Sequence, residues 1–321
     1  MSLQYTPQYK SIQNYIYFII MCFLVPFFKR YLNRNPRRFV FLTHVPSVAL
    51  VLAGTKFFLF AEMLYVVPQI ISTGSVIYFL LWLLSLFIAY NIIANLLAAH
   101  FTDTSVGSLP KERQNPKPHE EHMWHFCYKC KKMVPPRSWH CKLCNVCILK
   151  RDHHCILTAS CIGHNNHRYF FWFTFYLAFG SFLVMVTNFT AIVVNKRSFL
   201  NYYARAFVHP EFLLPKKTPV KSLENIEHLD NFLDLLYFLS VLVAAATGGG
   251  FVCQLMTTYI KGDFMPKYKR QYHLGTRKTF QLVLGKRGFW TFLAPNLKST
   301  LQHDGTIWKT NLDSKVMESE V

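Results

Sequence analysis

A chain of 321 residues with 52% hydrophobic and 17% aromatic content is too apolar for an ordinary soluble domain, and a formal net charge of +19 makes it too basic for a purely structural core. The positive residues collect in loops beside the apolar stretches, the pattern of membrane orientation and not of a nucleic-acid footprint.

In chain order, residues 1–38 form an N-terminal segment whose apolar stretch Tyr15–Phe28 is short and contains Pro26. It fits an extra span, a re-entrant segment or an interfacial helix. A cleaved signal peptide is disfavoured: only Lys10 precedes the stretch as a basic residue, no small-x-small site follows, and Lys29-Arg30 closes it. Four further stretches can cross a hydrocarbon core of about 30 Å: Phe39–Tyr65, Gly74–Ala98, Tyr169–Val194 and Phe232–Tyr259. The expected fold is therefore an α-helical polytopic membrane protein with spans paired in 39–98 and 169–259. Between the pairs lies a linker and cysteine-rich block, 99–168; a loop, 196–231, joins the second pair, and a basic tail, 260–321, follows.

Orientation places the Arg34–Arg38 loop, the cysteine block and the tail on the cytoplasmic face. Lys196, Arg197, Arg205, Lys216, Lys217 and Lys221 oppose a lumenal loop at 196–231, and parity between the spans decides in its favour. Cys22 and Cys253 lie in apolar stretches and read as small buried hydrophobes. Asn188-Phe189-Thr190 matches a glycosylation sequon but falls inside a span, so it is given no role. Apart from His44, the spans hold no histidine or charged cluster near the membrane centre, which argues against a metal or solute transporter.

Seven of the nine cysteines lie between Cys127 and Cys161. A reducing cytoplasm makes them metal ligands or nucleophiles, not disulfides. Cys127/Cys130 and Cys141/Cys144 are Cys-x2-Cys knuckles, each aiming two sulfurs at one metal, so two zinc nuclei are expected. Two tetrahedral sites need eight ligands; seven thiols and several histidines fill them and leave a cysteine over. The spacing does not suit a DNA-reading finger. In Asp152-His153-His154-Cys155, the carboxylate of Asp152 can orient the imidazole of His153, which can take the proton of the Cys155 thiol. The plainer alternative makes Cys155 a further zinc-type ligand or a bystander.

The run extends through Val134-Pro135-Pro136-Arg137-Ser138, Cys147-Ile148-Leu149-Lys150-Arg151 and Cys161-Ile162-Gly163. In this it resembles the cysteine-rich domain of the DHHC-type protein S-acyltransferases, the palmitoylating enzymes of eukaryotic membranes, and its wording is similar to their divergent DHHC-24 branch. The resemblance implies one zinc on Cys127, Cys130, His140 and Cys147 and another on Cys141, Cys144, His154 and Cys161, both structural, with Cys155 left for catalysis. It is strong from Cys127 to Phe170 and weaker out to about Gly285. Ile156-Leu157 stand where most members have Pro-Trp, and Ser160 where they have Asn. Asp103-Thr104-Ser105 replaces Asp-Pro-Gly, and Thr257-Thr258-Tyr259-Ile260 replaces Thr-Thr-x-Glu. Tyr272-His273-Leu274-Gly275 resembles the tail's aromatic element, with Thr279 where an Asn is usual.

The implied activity is transfer of a long-chain acyl group, such as palmitoyl, from acyl-CoA to a cysteine of client proteins through a thioester on Cys155, with His153 as base. The alternative is a catalytically silent, zinc-stiffened membrane scaffold or trafficking adaptor. Some of Lys129, Lys131, Lys132, Arg137, Lys150, Arg151 and Arg168 would receive the coenzyme A phosphates. Gly180, and Gly248, Gly249 and Gly250, offer room for the end of an acyl chain. Expected partners are the bilayer, acyl-CoA, membrane-associated clients with cytoplasmic cysteines and, through Ser319-Glu320-Val321, a PDZ domain. The expected location is the endomembrane system, endoplasmic reticulum or Golgi, with the active site facing the cytoplasm.

Overall fold

The computed structural model describes residues 36–195, 224–256, 272 and 275–308. The Tyr15–Phe28 stretch, Cys22, Thr257–Ile260 and Ser319–Val321 lie outside them, as does most of the 196–231 loop.

Four helices are long and apolar enough to cross a membrane, over Arg38–Gln69, Val76–Phe101, His167–Val194 and Phe232–Gln254. They match the four hydropathy stretches, with the third beginning slightly earlier, at His167. Helix α1 runs Pro36–Ala61 and continues through a π-turn, Glu62–Val66, and a 3-10 turn, Val67–Gln69. Helix α2 runs Val76–Phe101; the Ser75 hydroxyl caps it by accepting from the Tyr78 N–H at 3.2 Å. Helix α3 covers His167–Val194 and α4 Glu224–Gln254. Large apolar side chains such as Leu50, Phe57, Phe79 and Val193 remain exposed around the bundle, as a hydrocarbon solvent requires.

Helix α3 is central, packed along both α2 and α4. At the C-terminal end of α3 Val66, Ala191, Ile192, Leu233 and Leu236 form one apolar cluster. Beside it Glu62 of the π-turn is buried, accepting from Thr187 Oγ1 and Asn188 Nδ2, each at 2.6 Å. Asn188, unremarkable as a sequon, thus serves as an interhelical donor in a setting where an unpaired polar group is costly.

Between α2 and α3 the chain makes three antiparallel hairpins: β1 (His125–Cys127) with β2 (Lys132–Val134), β3 (Trp139–Cys141) with β4 (Val146–Ile148), and β5 (His153–Cys155) with β6 (Ser160–Ile162). One residue in each turn takes a left-handed conformation: Lys131 at φ 51°, Asn145 at φ 57° and Ala159 at φ 51°. Strands this short bury little by themselves, and a small apolar cluster of Val106, Leu109, Val134 and Leu149 lies beneath the first two hairpins.

The block is seated on the end of α2. Thr104 O accepts from the Leu149 N–H at 2.9 Å, and Thr104 Oγ1 accepts from the Asn165 N–H at 3.1 Å. A Cβ on Gly163 would lie 2.5 Å from Leu149 O, so the close approach here needs glycine. Asp103-Thr104-Ser105 therefore still docks the block, with Asp103 Oδ1 accepting from the Ser105 N–H at 2.7 Å. Beyond the bundle, α5 (Thr276–Leu284) and a 3-10 turn (Gly288–Phe292) fold back against α3. Trp172 Nε1 donates to Thr291 Oγ1 at 2.9 Å, and Tyr176 Oη donates to Phe292 O at 2.6 Å.

Candidate active site and metal centres

The hairpin registers bring the soft donors together in two groups. Pairing of His140 with Cys147 places both beside the Cys127/Cys130 knuckle, and pairing of His154 with Cys161 places both beside Cys141/Cys144. Within each group the four donor atoms all lie within 4.8 Å of one another. In the first, Cys130 Sγ is 3.3 Å from His140 Nδ1 and 3.5 Å from Cys147 Sγ. In the second, His154 Nδ1 is 3.6, 3.3 and 3.5 Å from the sulfurs of Cys141, Cys144 and Cys161.

A tetrahedral zinc ion with Zn–S of about 2.3 Å and Zn–N of about 2.0–2.1 Å has edges of roughly 3.5–3.8 Å, so both groups are the right size. The donor chemistry agrees. Burial and neighbouring thiols hold the Cys147 thiol above its ordinary range, and hydrogen bonding to Cys141 and Cys144 does the same for Cys161. A divalent cation removes that penalty by deprotonating its ligands. These are the residues the family resemblance implied, and Cys155 belongs to neither group.

Cys155 ends β5, and its side chain is buried with Ile88, Ile92 and Leu96 of α2, Phe170, Phe171 and Tyr176 of α3, and Val283 and Leu284 of α5. The cysteine–histidine block thus places the thiol at one end of an apolar bundle. His153 Nδ1 stands 3.2 Å from Asp152 Oδ2, and the same ring hydrogen-bonds the Cys155 side chain. Burial alone would discharge all three groups, but the pairing opposes it. The Asp152 carboxyl lies at about 2, the His153 imidazole is pushed up to about 10, and the Cys155 thiol is drawn below its ordinary value. The neighbouring imidazole thus draws the Cys155 thiol toward its charged, more nucleophilic form.

Thr158 was not singled out by sequence reasoning. Fully buried, it hydrogen-bonds Cys155 through both side chain and backbone, which favours the thiolate. Its carbonyl accepts from His100 Nδ1 at 2.8 Å, and its hydroxyl accepts from Ser160 Oγ at 3.2 Å. Ser160 Oγ also reaches Ala99 O at 3.2 Å, so the turn after Cys155 is tied to α2 without the usual Asn. The only available signal was position, three residues after the nucleophile in a tight hairpin.

The seven basic residues divide. Lys129 and Lys131 are exposed, while Arg137, Lys150 and Arg168 are buried. Arg137 lies over the rings of Tyr272 and Trp308 at 4.9 and 4.2 Å from their centroids. Arg168 donates to Leu297 O at 3.2 Å, and Lys150 Nζ is 3.2 Å from His167 Nδ1. These three fasten the tail and the floor of the hairpin that bears Cys155. Gly180 faces the bundle interior, where an added Cβ would lie 3.0 Å from Ile88 Cγ2; around Gly248, Gly249 and Gly250 nothing lies within 4 Å. Thr279 Oγ1 donates to Gly275 O at 3.0 Å within its own helix.

Residues 120–266 match the DHHC palmitoyltransferase family. The chain is 30% identical over 204 residues to the rat protein named probable palmitoyltransferase ZDHHC24, covering 61% of this chain and 68% of that one. It is 33% identical over 195 residues to the human protein of the same name, covering 59% and 66%. A probable protein S-acyltransferase 12 of Arabidopsis thaliana is 26% identical over 167 residues, so the chain spans about half of that relative, 52%, and matches it over 51% of its own length. Two cysteine–histidine clusters, a cysteine outside both, four membrane-crossing helices and this likeness place the chain in the DHHC palmitoyltransferase family, on its ZDHHC24-like branch.

Proposed function

We propose that the chain is a protein S-acyltransferase that moves a long-chain acyl group, palmitoyl foremost, from acyl-CoA to cysteines of membrane-associated client proteins. The observation that carries this reading is the hydrogen-bonded Asp152–His153–Cys155 array held at the mouth of an apolar helix bundle.

In the first step the Cys155 thiolate attacks the thioester carbonyl. A new carbon–sulfur bond forms, the bond to coenzyme A breaks, and the departing sulfur takes the proton held on His153. In the second, His153 accepts the proton of a client thiol, whose sulfur attacks the acyl-enzyme and releases Cys155. Thioester replaces thioester, so each step is close to balanced, and Asp152 keeps the imidazole oriented throughout. A chain of about fourteen methylenes at about 0.8 kcal/mol each favours apolar surroundings by on the order of 10 kcal/mol, which explains a site inside a membrane bundle.

Cys127, Cys130, His140 and Cys147 would hold one zinc ion, and Cys141, Cys144, His154 and Cys161 the other. When bound, the two ions cross-link the hairpins and supply rigidity. The protein would act from the endomembrane system with Cys155 toward the cytoplasm.

Purified protein in lipid vesicles should release free coenzyme A from palmitoyl-CoA with an initial burst, and Cys155→Ser should release none. A folded, zinc-loaded wild type that releases none would contradict the transferase and favour the silent scaffold.

A further inference from the structure

His44 is a histidine inside a membrane helix that the acyl-transfer steps do not use. It lies in α1, is only 8% exposed, and is directed at the metal block. Its Nε2 atom is 2.9 Å from Nε2 of His154, and the two rings meet edge to edge with centroids 4.9 Å apart and planes 21° apart.

The opposite edge of the His154 ring settles what this contact is. His154 Nδ1 faces three cysteine sulfurs at 3.3 to 3.6 Å, so with a metal bound that nitrogen carries no proton. The remaining proton must sit on Nε2, which donates, and His44 Nε2 accepts with its own proton on Nδ1. A metal-bound histidine ordinarily gives its outer N–H to a carboxylate, carbonyl or water; here the acceptor is an imidazole from a transmembrane helix. His154 sits between His153 and Cys155 in β5, so its ring orientation is passed directly to the catalytic strand. On the far side of the same hairpin, His100 of α2 holds Thr158 O at 2.8 Å, so two membrane helices grip the nucleophile's hairpin from either end.

We infer that His44 is a positioning residue: the outer hydrogen-bond acceptor of the zinc-binding His154, through which the first membrane helix is held in register with the hairpin bearing Cys155. The inference rests on the two metal centres of the proposed function.

The test is zinc release from purified full-length protein, measured as zinc content and as the rate of transfer to a colorimetric chelator. His44→Leu keeps a side chain suited to a membrane helix but has no acceptor, whereas His44→Gln restores one. Wild type should hold two zinc ions. His44→Leu should lose one of the two faster, by the 10–100-fold typical of a missing outer partner, and His44→Gln should fall back near wild type. Wild-type release rates in His44→Leu would overturn the inference while leaving the metal centres standing, and so would equal acceleration in the Leu and Gln variants. A wild type without zinc would overturn the metal centres and this inference with them.

Discussion

His153 Nδ1 lies 3.2 Å from Asp152 Oδ2 while the same ring hydrogen-bonds Cys155, so one imidazole is shared between a carboxylate and a thiol group. The consequence is electrostatic. The carboxylate holds His153 up to about 10, and the imidazolium holds Cys155 down.

The sign of the pH dependence follows. A thiol with a lowered pKa keeps more of its charge as pH falls through the ordinary thiol range near 8.5, so wild-type self-acylation should fall less steeply below about pH 8.5 than the reaction of an unassisted thiol. His153→Ala removes the imidazolium and the proton carrier together. Its rate at pH 7 should drop by about 10² to 10⁴ and climb as pH rises toward 9, when solvent base supplies the thiolate. A mutant as fast as wild type at pH 7 would remove His153 from the mechanism.

Separation of the thiols by role gives a second outcome. Cys155→Ser should keep two zinc ions and a normal melting temperature while losing self-acylation, because Cys155 lies outside both donor groups. Cys144→Ser should lose zinc and fall in yield, because Cys144 Sγ stands 3.3 Å from His154 Nδ1 and 3.5 Å from Cys161 Sγ. Metal analysis of the two variants side by side makes the comparison, and zinc loss in Cys155→Ser would reverse the assignment.

Acyl-chain length provides a third. Gly180 lies about 20 Å along α3 from His167 at about 1.5 Å per residue. A Cβ added there would lie 3.0 Å from Ile88 Cγ2 and 3.7 Å from Ile92 Cδ1, side chains of the apolar cluster that contains Cys155. Gly180→Phe should therefore shift self-acylation toward shorter acyl-CoAs. Equal loss at every chain length together with a lower melting temperature would show that the glycine serves helix packing alone.

Legibility in the sequence followed the range of the interactions. The spans were readable because about twenty consecutive apolar residues are a local signal. The triad order was readable because Asp152, His153 and Cys155 are near neighbours. The grouping of eight ligands came from family resemblance; interleaved hairpins carry no periodicity that would pair His140 with Cys130 or His154 with Cys141. Long-range side-chain partners were not readable at all. His44 meets His154 across 110 residues, Glu62 meets Asn188 across 126, and Trp172 meets Thr291 across 119. Arg137 and Arg168 read as candidates for the coenzyme A phosphates because burial of a cation against aromatic rings or carbonyls leaves no local mark.

Mass spectrometry of the purified protein after brief exposure to palmitoyl-CoA tests the central claim most directly. The account predicts one acyl group per chain, on the peptide containing Cys155, removed by neutral hydroxylamine and absent from Cys155→Ser. An acyl group mapped to another cysteine, or none on folded protein carrying two zinc ions, would contradict it.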